Sequence, residues 1–574
     1  MTALTFANFV SAEGFMLGDV NGNSKIDTLD SLKILKHVAN IEKLTEAEQK
    51  AADCDENGTI NSVDALKILK SIVGLEPFKC FAQPASVFAN NMVLQREEKV
   101  PVWGYAEDGR IVKVSFNGQE KQTVAKDGKW MIYLDPMEAN KTPQNMTIMS
   151  TGTHVVKNIL VGEVWFAGGQ SNMAFQIGIL GDPTLKNNII NDCAYPEIRV
   201  FTQNEVRSET PQKFNKGSKW TASSKATVSG FSVMGYLLAR DLHKELNVPV
   251  GIITSAYGGT NIEDHINNKV LEESGLDVIY GGASTFKNNA YNAMLAPLFP
   301  FKVKGAIWYQ GENNSAPEMA AKNYSSYLKL YVEQLRAGFE NENMNFVQVQ
   351  LPSFGSADFP DMRYYQMEGD DKIPNVYTVP AYDTGLEKDI HPSDKGPIAQ
   401  RIKNTVLNKV YNKTQYTCVY PKADTFTQQD DNSLLVTFKQ NVELEVVKED
   451  ANTLFVCDEN GIYHQAKAQV VDGTKLKITT DKFTGKIYGV KYASEPMVKT
   501  AHIVTKNGKD LIMPFKWESL PEIPDVKKDI DMTYDFKTIA DYNKYSTSYK
   551  FNYNDGFTGY PSVDNPTHQI GPVV

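Results

Sequence analysis

The stretch Leu160-Val-Gly-Glu-Val-Trp-Phe-Ala-Gly-Gly-Gln-Ser-Asn-Met173 decides the fold of this chain. Its first eight residues form an apolar run that ends at Gly168-Gly169, the pattern of a buried strand. Ser171 therefore stands just past a strand end. In an open α/β sheet that is where the crevice lies, and glycines ahead of a serine let the backbone turn tightly enough to leave the hydroxyl accessible. Taken alone, the same residues describe a strand-to-helix turn with a serine cap, and they do not form the Gly-x-Ser-x-Gly elbow of other hydrolases. The chain downstream chooses between the two readings.

From Val161 to about Val410, apolar strands alternate with amphipathic helical patterns: Pro249–Ser255, Val303–Tyr309, Asn345–Leu351 and Asn375–Ala381. That rhythm specifies a parallel sheet. Polar motifs follow the strands: Ala256-Tyr-Gly-Gly-Thr-Asn-Ile-Glu263, Gln310-Gly-Glu-Asn-Asn314 and Asp389-Ile-His-Pro392. Polar groups converging on one sheet edge build a catalytic crevice. Of the eight histidines, His37 falls in the first module, His154, His464 and His502 in β-patterned segments, His568 in the tail and His243 on a helix with Arg240 and Lys244. His265 and His391 remain. His391 follows a strand and has a carboxylate two residues earlier, on the same side of an extended segment. The expected chemistry is acyl transfer, with Ser171 as nucleophile, His391 as base and Asp389 orienting the imidazole. The expected oxyanion donors are the N–H groups of Ser171 and Gly259 and the Gln310 amide, with Asn313 the weaker choice.

Six motifs in order carry a family resemblance: Asn91–Arg96, Gly169–Met173, Gly258–Thr260, Tyr291–Pro297, Trp308–Asn313 and Asp389–Pro392. Over roughly residues 84–518 the chain resembles the sialate O-acetylesterases, which are SGNH-type carbohydrate esterases. The resemblance implies a central SGNH-hydrolase-like α/β domain that deacetylates a sugar ester through serine and histidine, without a catalytic metal. It also implies a competitor for the acid: related esterases place it either near the histidine or in the Gln-Gly-Glu motif, so Glu312 stands against Asp389.

The chain has 574 residues, too many for one core, and a formal net charge of -10. No apolar run approaches the ~18 residues needed to span a bilayer, and the acidic balance argues against nucleic acid and anionic membrane as partners. Five scattered cysteines, Cys54, Cys80, Cys193, Cys418 and Cys457, lack metal-ligand spacing, and their odd number argues against a disulfide framework. Leu4–Ala12 ends like a signal-peptidase site without a basic residue ahead of it, a truncated export signal or a plain tail.

An internal repeat occupies the first 76 residues. Asp19-Val-Asn-Gly-Asn-Ser-Lys-Ile-Asp-Thr-Leu-Asp30 recurs as Asp53-Cys-Asp-Glu-Asn-Gly-Thr-Ile-Asn-Ser-Val-Asp64, and each copy runs into Leu-Lys-Ile-Leu-Lys. Oxygen side chains at positions 1, 3, 5, 9 and 12, with the position-7 carbonyl, wrap a Ca²⁺ ion. The ligand sets are Asp19, Asn21, Asn23, Lys25, Asp27 and Asp30, and Asp53, Asp55, Asn57, Thr59, Asn61 and Asp64. Ser24 stands where glycine belongs at position 6, so the first site is expected to be the weaker. Leu32, Leu35, Val38 and Leu66, Leu69, Ile72 recur at helical spacing and are expected to face inward, leaving Lys33, Lys36, Lys67 and Lys70 outside. A pair of one-helix repeats buries little surface by itself, so Ca²⁺ binding is expected to supply part of the folding energy. Residues 17–76 resemble a type I dockerin. That implies two structural Ca²⁺ ions, contact with a cohesin through Thr28, Leu29, Ser62 and Val63, and a secreted, cellulosome-associated protein.

The expected architecture is multidomain. It comprises an all-α calcium-binding dockerin over 15–76, an antiparallel β module over 84–158, an α/β esterase domain over 159–411, a second β module over 412–520, and a tail or the start of a further module over 521–574. Asn117-Gly118, Asp127-Gly128, Asn460-Gly461 and Asp472-Gly473 supply hairpin turns in the β modules. Trp103 and Trp130 read as buried anchors rather than sugar platforms. The tail is tyrosine-rich, from Tyr534 to Tyr560. With a dockerin attached, the expected substrate is acetylated hemicellulose such as xylan, with O-acetyl sialic acid as the alternative and a non-catalytic carbohydrate-binding adaptor as a third reading.

Overall fold

A single strand of 17 residues, β1 (Thr153–Gly169), joins two differently built regions. Its first half pairs antiparallel with Asn140–Met149, and its second half lies in the middle of a parallel sheet. The computed structural model that shows this describes residues 14–520 except 81, 277, 280–288, 449–452 and 499. The export-like segment at Leu4–Ala12 and the tyrosine-rich tail lie outside the described residues. The boundary expected between 158 and 159 falls inside β1. The sequence changes there from alternation to a continuous apolar run because the strand changes partners, while its backbone continues without a break.

The remaining strands of the central sheet are β2 (Ile198–Thr202), β3 (Lys219–Ala222), β4 (Val250–Ala256), β5 (Gly305–Tyr309), β6 (Asn345–Val349) and β7 (Val376–Val379). Their order is β3-β2-β4-β1-β5-β6-β7, with all pairs parallel except β3 against β2. Successive side chains go to opposite faces. Val164, Phe166, Ala306 and Trp308 join the core under the helix Glu318–Gly338, and Trp165, Ala167, Ile307 and Tyr309 join the core under the helices Val233–Leu246 and Gly396–Lys409. Both faces are covered, which is why these strands read as unbroken apolar runs.

β1 is the point where the connections reverse, with β4 on one side and β5 on the other. The register places Gly169 beside both Ala256 and Tyr309. Three strands thus end level at the centre of the sheet, and the three loops that follow start from one line.

In the N-terminal β region, Asn117 and Gly118, and Asp127 and Gly128, all take positive φ, as the tight hairpins require. Trp103 and Trp130 are buried. Residues 423–518 form two four-stranded antiparallel sheets and a two-stranded one, over a core that includes Leu434, Val436, Val456, Leu476, Val490 and Phe515. This layer is fixed to the α/β region by Tyr382 donating to the Ile512 carbonyl at 2.9 Å and by Arg363 donating to the Glu495 carbonyl at 2.6 Å. All five cysteines are free thiols. Among the described residues no helix is long and apolar enough to cross a membrane.

The first module departs from expectation. Its helices Thr28–Val38 and Ser62–Ile72 pack through Ser31, Ile34, Ala65 and Ile68, and the Ser31 hydroxyl donates to the Ala65 carbonyl at 3.1 Å. The leucine stripes point outward, with Leu32, Leu35, Val38, Leu66, Leu69 and Ile72 between 39% and 50% exposed. Both faces of each helix carry apolar residues at helical spacing. The small side chains at Ser31 and Ala65 decide between them, because they let the two backbones approach most closely. A further helix, Glu46–Ala52, capped reciprocally by Thr45 and Glu48, fills the space between the repeats. The module is tied to the β region where Phe15 bridges to Arg110, and the buried Arg110 guanidinium pairs with Glu56 and Glu107.

Candidate active site

Ser171 opens the short helix Ser171–Ala174 directly after β1. His391 arrives on the loop between β7 and the helix Gly396–Lys409, and its Nε2 stands 2.8 Å from Ser171 Oγ across 220 residues of chain. The Asp389 carboxylate accepts the backbone N–H of His391 at 2.9 Å, and its Oδ1 lies 3.4 Å from Nδ1. The backbone bond is the tighter of the two. Asp389 therefore fixes the loop and also faces the ring nitrogen that must carry the proton if Nε2 is to accept from the hydroxyl.

The expected oxyanion donors fare differently. As the first residue of its helix, Ser171 has a backbone N–H without an intrahelical acceptor. Gly258 is the glycine that meets the serine: a Cβ built there would stand 3.7 Å from Ser171 Cβ. Gly259 takes φ +71 and faces open space. Its left-handed backbone turns the segment, which is the physical need for that glycine. The Gln310 amide is already committed, its Nε2 donating to the Thr260 carbonyl at 3.1 Å and to Asn314 Oδ1 at 2.7 Å. Both amide hydrogens are used, so Gln310 braces the two loops and has none left for an oxyanion. Asn313 donates to Asn261 Oδ1 at 3.0 Å. His265, the other histidine candidate, is buried, hydrogen-bonded to Thr260 Oγ1 at 2.9 Å and pushed down to about 3 by burial, a neutral internal brace.

Glu312, the alternative acid, is buried and directed at another partner: its Oε1 accepts from Asn172 Nδ2 at 2.5 Å. Burial raises its pKa, while the Asn172 hydrogen bond opposes the rise. Asn172 also takes a hydrogen bond on Oδ1 from Lys395 Nζ at 2.8 Å. Lys395 is fully buried, and burial pushes its pKa down to about 7 against the opposing pull of Glu312. Its ammonium sits 4.9 Å from the Phe175 ring centre and 5.4 Å from that of Tyr309. Nothing in the sequence marks Lys395, which reads as one more solvent lysine after Ser393-Asp394. Asn172 lay in plain view inside the nucleophile motif without an assigned role.

In the repeat module, the second loop brings carboxylate oxygens of Asp53, Asp55 and Asp64 within 4.8 Å of one another. Asp30 and Asp64 play identical parts, each accepting two backbone N–H groups of its own loop: Asn21 and Asp27 for the first, Asp55 and Asn61 for the second. Burial raises the pKa of Asp19 and Asp30, and repulsion from the neighbouring loop carboxylates adds to the rise. Hard oxygen donors in this array fit Ca²⁺. The strain expected of Ser24 in the first loop has a counterpart in the second. Each loop is left-handed at positions 4 and 6, and each spends one glycine there: Gly22 with Ser24 in the first, Glu56 with Gly58 in the second. Thr28, Leu29, Ser62 and Val63 are all exposed.

Residues 161–401 match the family described as carbohydrate esterase, sialic acid-specific acetylesterase, and residues 17–73 match the dockerin type I domain. Dockerins of this type generally bind calcium and cohesins. The chain is similar to the sialate O-acetylesterase of Homo sapiens, 26% identical over 460 residues, covering 71% of this chain and 87% of that protein. The enzyme of the same name from Rattus norvegicus is 27% identical over 458 residues, covering 67% and 83%. Among solved structures, a carbohydrate acetylesterase from Xanthomonas citri superposes with a TM-score of 0.69 at 26% identity, covering 76% of this chain and 100% of that one.

Proposed function

We propose that this chain, a carboxylic ester hydrolase of the sialate O-acetylesterase kind carrying a type I dockerin, is a secreted enzyme that removes O-acetyl groups from plant hemicellulose such as xylan while docked to a cohesin-bearing scaffold. The observation that carries the chemistry is the 2.8 Å approach of His391 Nε2 to Ser171 Oγ.

His391 takes the hydroxyl proton as Ser171 Oγ bonds to the acetyl carbonyl carbon, and Asp389 stabilises the imidazolium. The N–H groups of Ser171 and Gly259 receive the oxyanion, a role in which one lost donor typically costs ~10²–10³ in turnover. The proton passes from His391 to the departing sugar oxygen as the ester C–O bond breaks, leaving acetyl on Ser171. Water, deprotonated by the same imidazole, then attacks the acetyl carbon, and the imidazolium returns the proton to Ser171 Oγ as the acyl C–O bond breaks and acetate leaves.

In the dockerin, Asp19, Asn21, Asn23, Asp27 and Asp30 in the first loop and Asp53, Asp55, Asn57, Asn61 and Asp64 in the second would each hold a Ca²⁺ ion, which would balance the charge of the gathered carboxylates. The outward leucine stripes, continuous with Leu29 and Val63, support docking: an apolar face of this kind on so small a unit points to a protein partner. That partnership favours hemicellulose as the substrate, whereas the names of the relatives favour O-acetyl sialic acid. Acetate release from acetylated xylan, acetylated mannan and O-acetyl sialic acid, measured side by side, tests the reading. Turnover fastest on xylan or mannan supports it, and turnover confined to sialic acid replaces it with the second.

A further inference from the structure

Asn172 joins three segments that are distant in sequence: its own turn, the loop after β5, and the stretch from Ile390 to Lys395. Its Nδ2 donates to Glu312 Oε1 at 2.5 Å, in the loop after β5, and to the Ile390 carbonyl at 3.1 Å, in the residue before His391. Its Oδ1 accepts from Lys395 Nζ at 2.8 Å, at the start of the helix Gly396–Lys409. The amide itself is the neighbour of Ser171 and is fully buried. Its orientation is unambiguous, because an ammonium can only donate and a backbone carbonyl can only accept.

We propose that Asn172 is a positioning residue, held between Glu312 and Lys395, that keeps the His391 loop within hydrogen-bond reach of Ser171, and that Glu312 acts through it rather than as the acid of the triad. This rests on the Ser171–His391 reading above. Three observations support it. The Glu312 oxygen that is bonded turns to Asn172, and its other oxygen is buried without a hydrogen-bond partner. The carboxylate facing His391 Nδ1 is that of Asp389. The Phe175 ring neighbours both Lys395 and His391, 4.9 Å from the ammonium and 5.8 Å from the imidazole. A buried amide with every amide hydrogen used permits little movement, which is what a proton transfer between two loops requires.

The test uses the full chain with 4-nitrophenyl acetate and compares Asn172→Ala, Glu312→Ala, Glu312→Gln and Asp389→Asn, each checked for folding by its melting temperature. Because misplacing a reacting group by about 1 Å can cost ~10²-fold, Asn172→Ala and Glu312→Ala should each lower kcat by about that factor with KM unchanged. Glu312→Gln keeps an acceptor for the Asn172 amide, so it should recover most of the loss, while Asp389→Asn should be far slower than Glu312→Gln. Should Asn172→Ala not fold, the two Glu312 variants decide. The proposal is overturned if Glu312→Gln is as slow as Glu312→Ala, or if Asn172→Ala turns over at the parental rate. Ser171→Ala, run alongside, separates failures: hydrolysis by that variant removes the serine reading itself.

Discussion

The turn after β1 and the dockerin's calcium loops are both polar segments that open a helix, yet they are ordered in opposite ways. In the loops, the acceptors of Asp30 and Asp64 are satisfied by backbone N–H groups no more than nine residues away. Hard oxygen donors at that spacing fit a cation. At the turn, the partners of Asn172 lie 140, 218 and 223 residues away, and none is supplied by the turn itself. The difference teaches that one site is written locally and completed by an ion, whereas the other is completed by the packing of a whole sheet. Their cores match this division. The dockerin core is a handful of side chains around Val20, Ile34 and Ile68, and the α/β region has two extensive cores, one on each face of the sheet.

That contrast can be broken in four places. Ser171→Ala should lower acetate release by ~10³-fold or more without moving the thermal transition of the α/β region, as followed by calorimetry. Removing metal with EDTA should melt the repeat module and weaken capture on a cohesin column by ~10²-fold or more, while acetate release stays near its starting rate. Loss of hydrolysis with chelator would instead tie the packed site to a metal. Leu32→Asp together with Leu66→Asp should weaken cohesin binding by ~30-fold, the scale of a lost hot spot, with calcium titrations unchanged. An unchanged cohesin Kd would remove the stripes from the interface. Smallest, Ser24→Gly should tighten one calcium site about fivefold, from relief of ~1 kcal/mol of left-handed strain. Glu56→Gly should gain less, because the same change deletes the pairing with Arg110. Equal gains in calorimetric titrations would show that the Arg110 contact contributes nothing to the loop.

The α/β rhythm was legible because a sheet covered on both faces writes uninterrupted apolar strands, and the calcium loops because their ligands fall at fixed short spacing. The serine–histidine pair was legible only after the motifs were gathered, since the sequence says that polar loops follow strands but not which strands are neighbours. Gln310 misled for a related reason. A glutamine after a strand looks available, yet the proximity of Thr260 and Asn314 consumes both of its amide hydrogens. The leucine stripes misled because each dockerin helix carries two apolar faces, and pattern alone does not rank them.

The sequence by itself determined where turns, strands and oxygen ligands fall, because those depend on residues within about one element of each other. The tertiary structure alone decided that Gly169, Ala256 and Tyr309 end level, that an unmarked lysine at 395 and a glutamate at 312 share one amide, and that the small-residue faces of the dockerin helices meet. Those outcomes follow from the order of strands in a sheet and the closeness with which backbones approach, which no local spacing encodes.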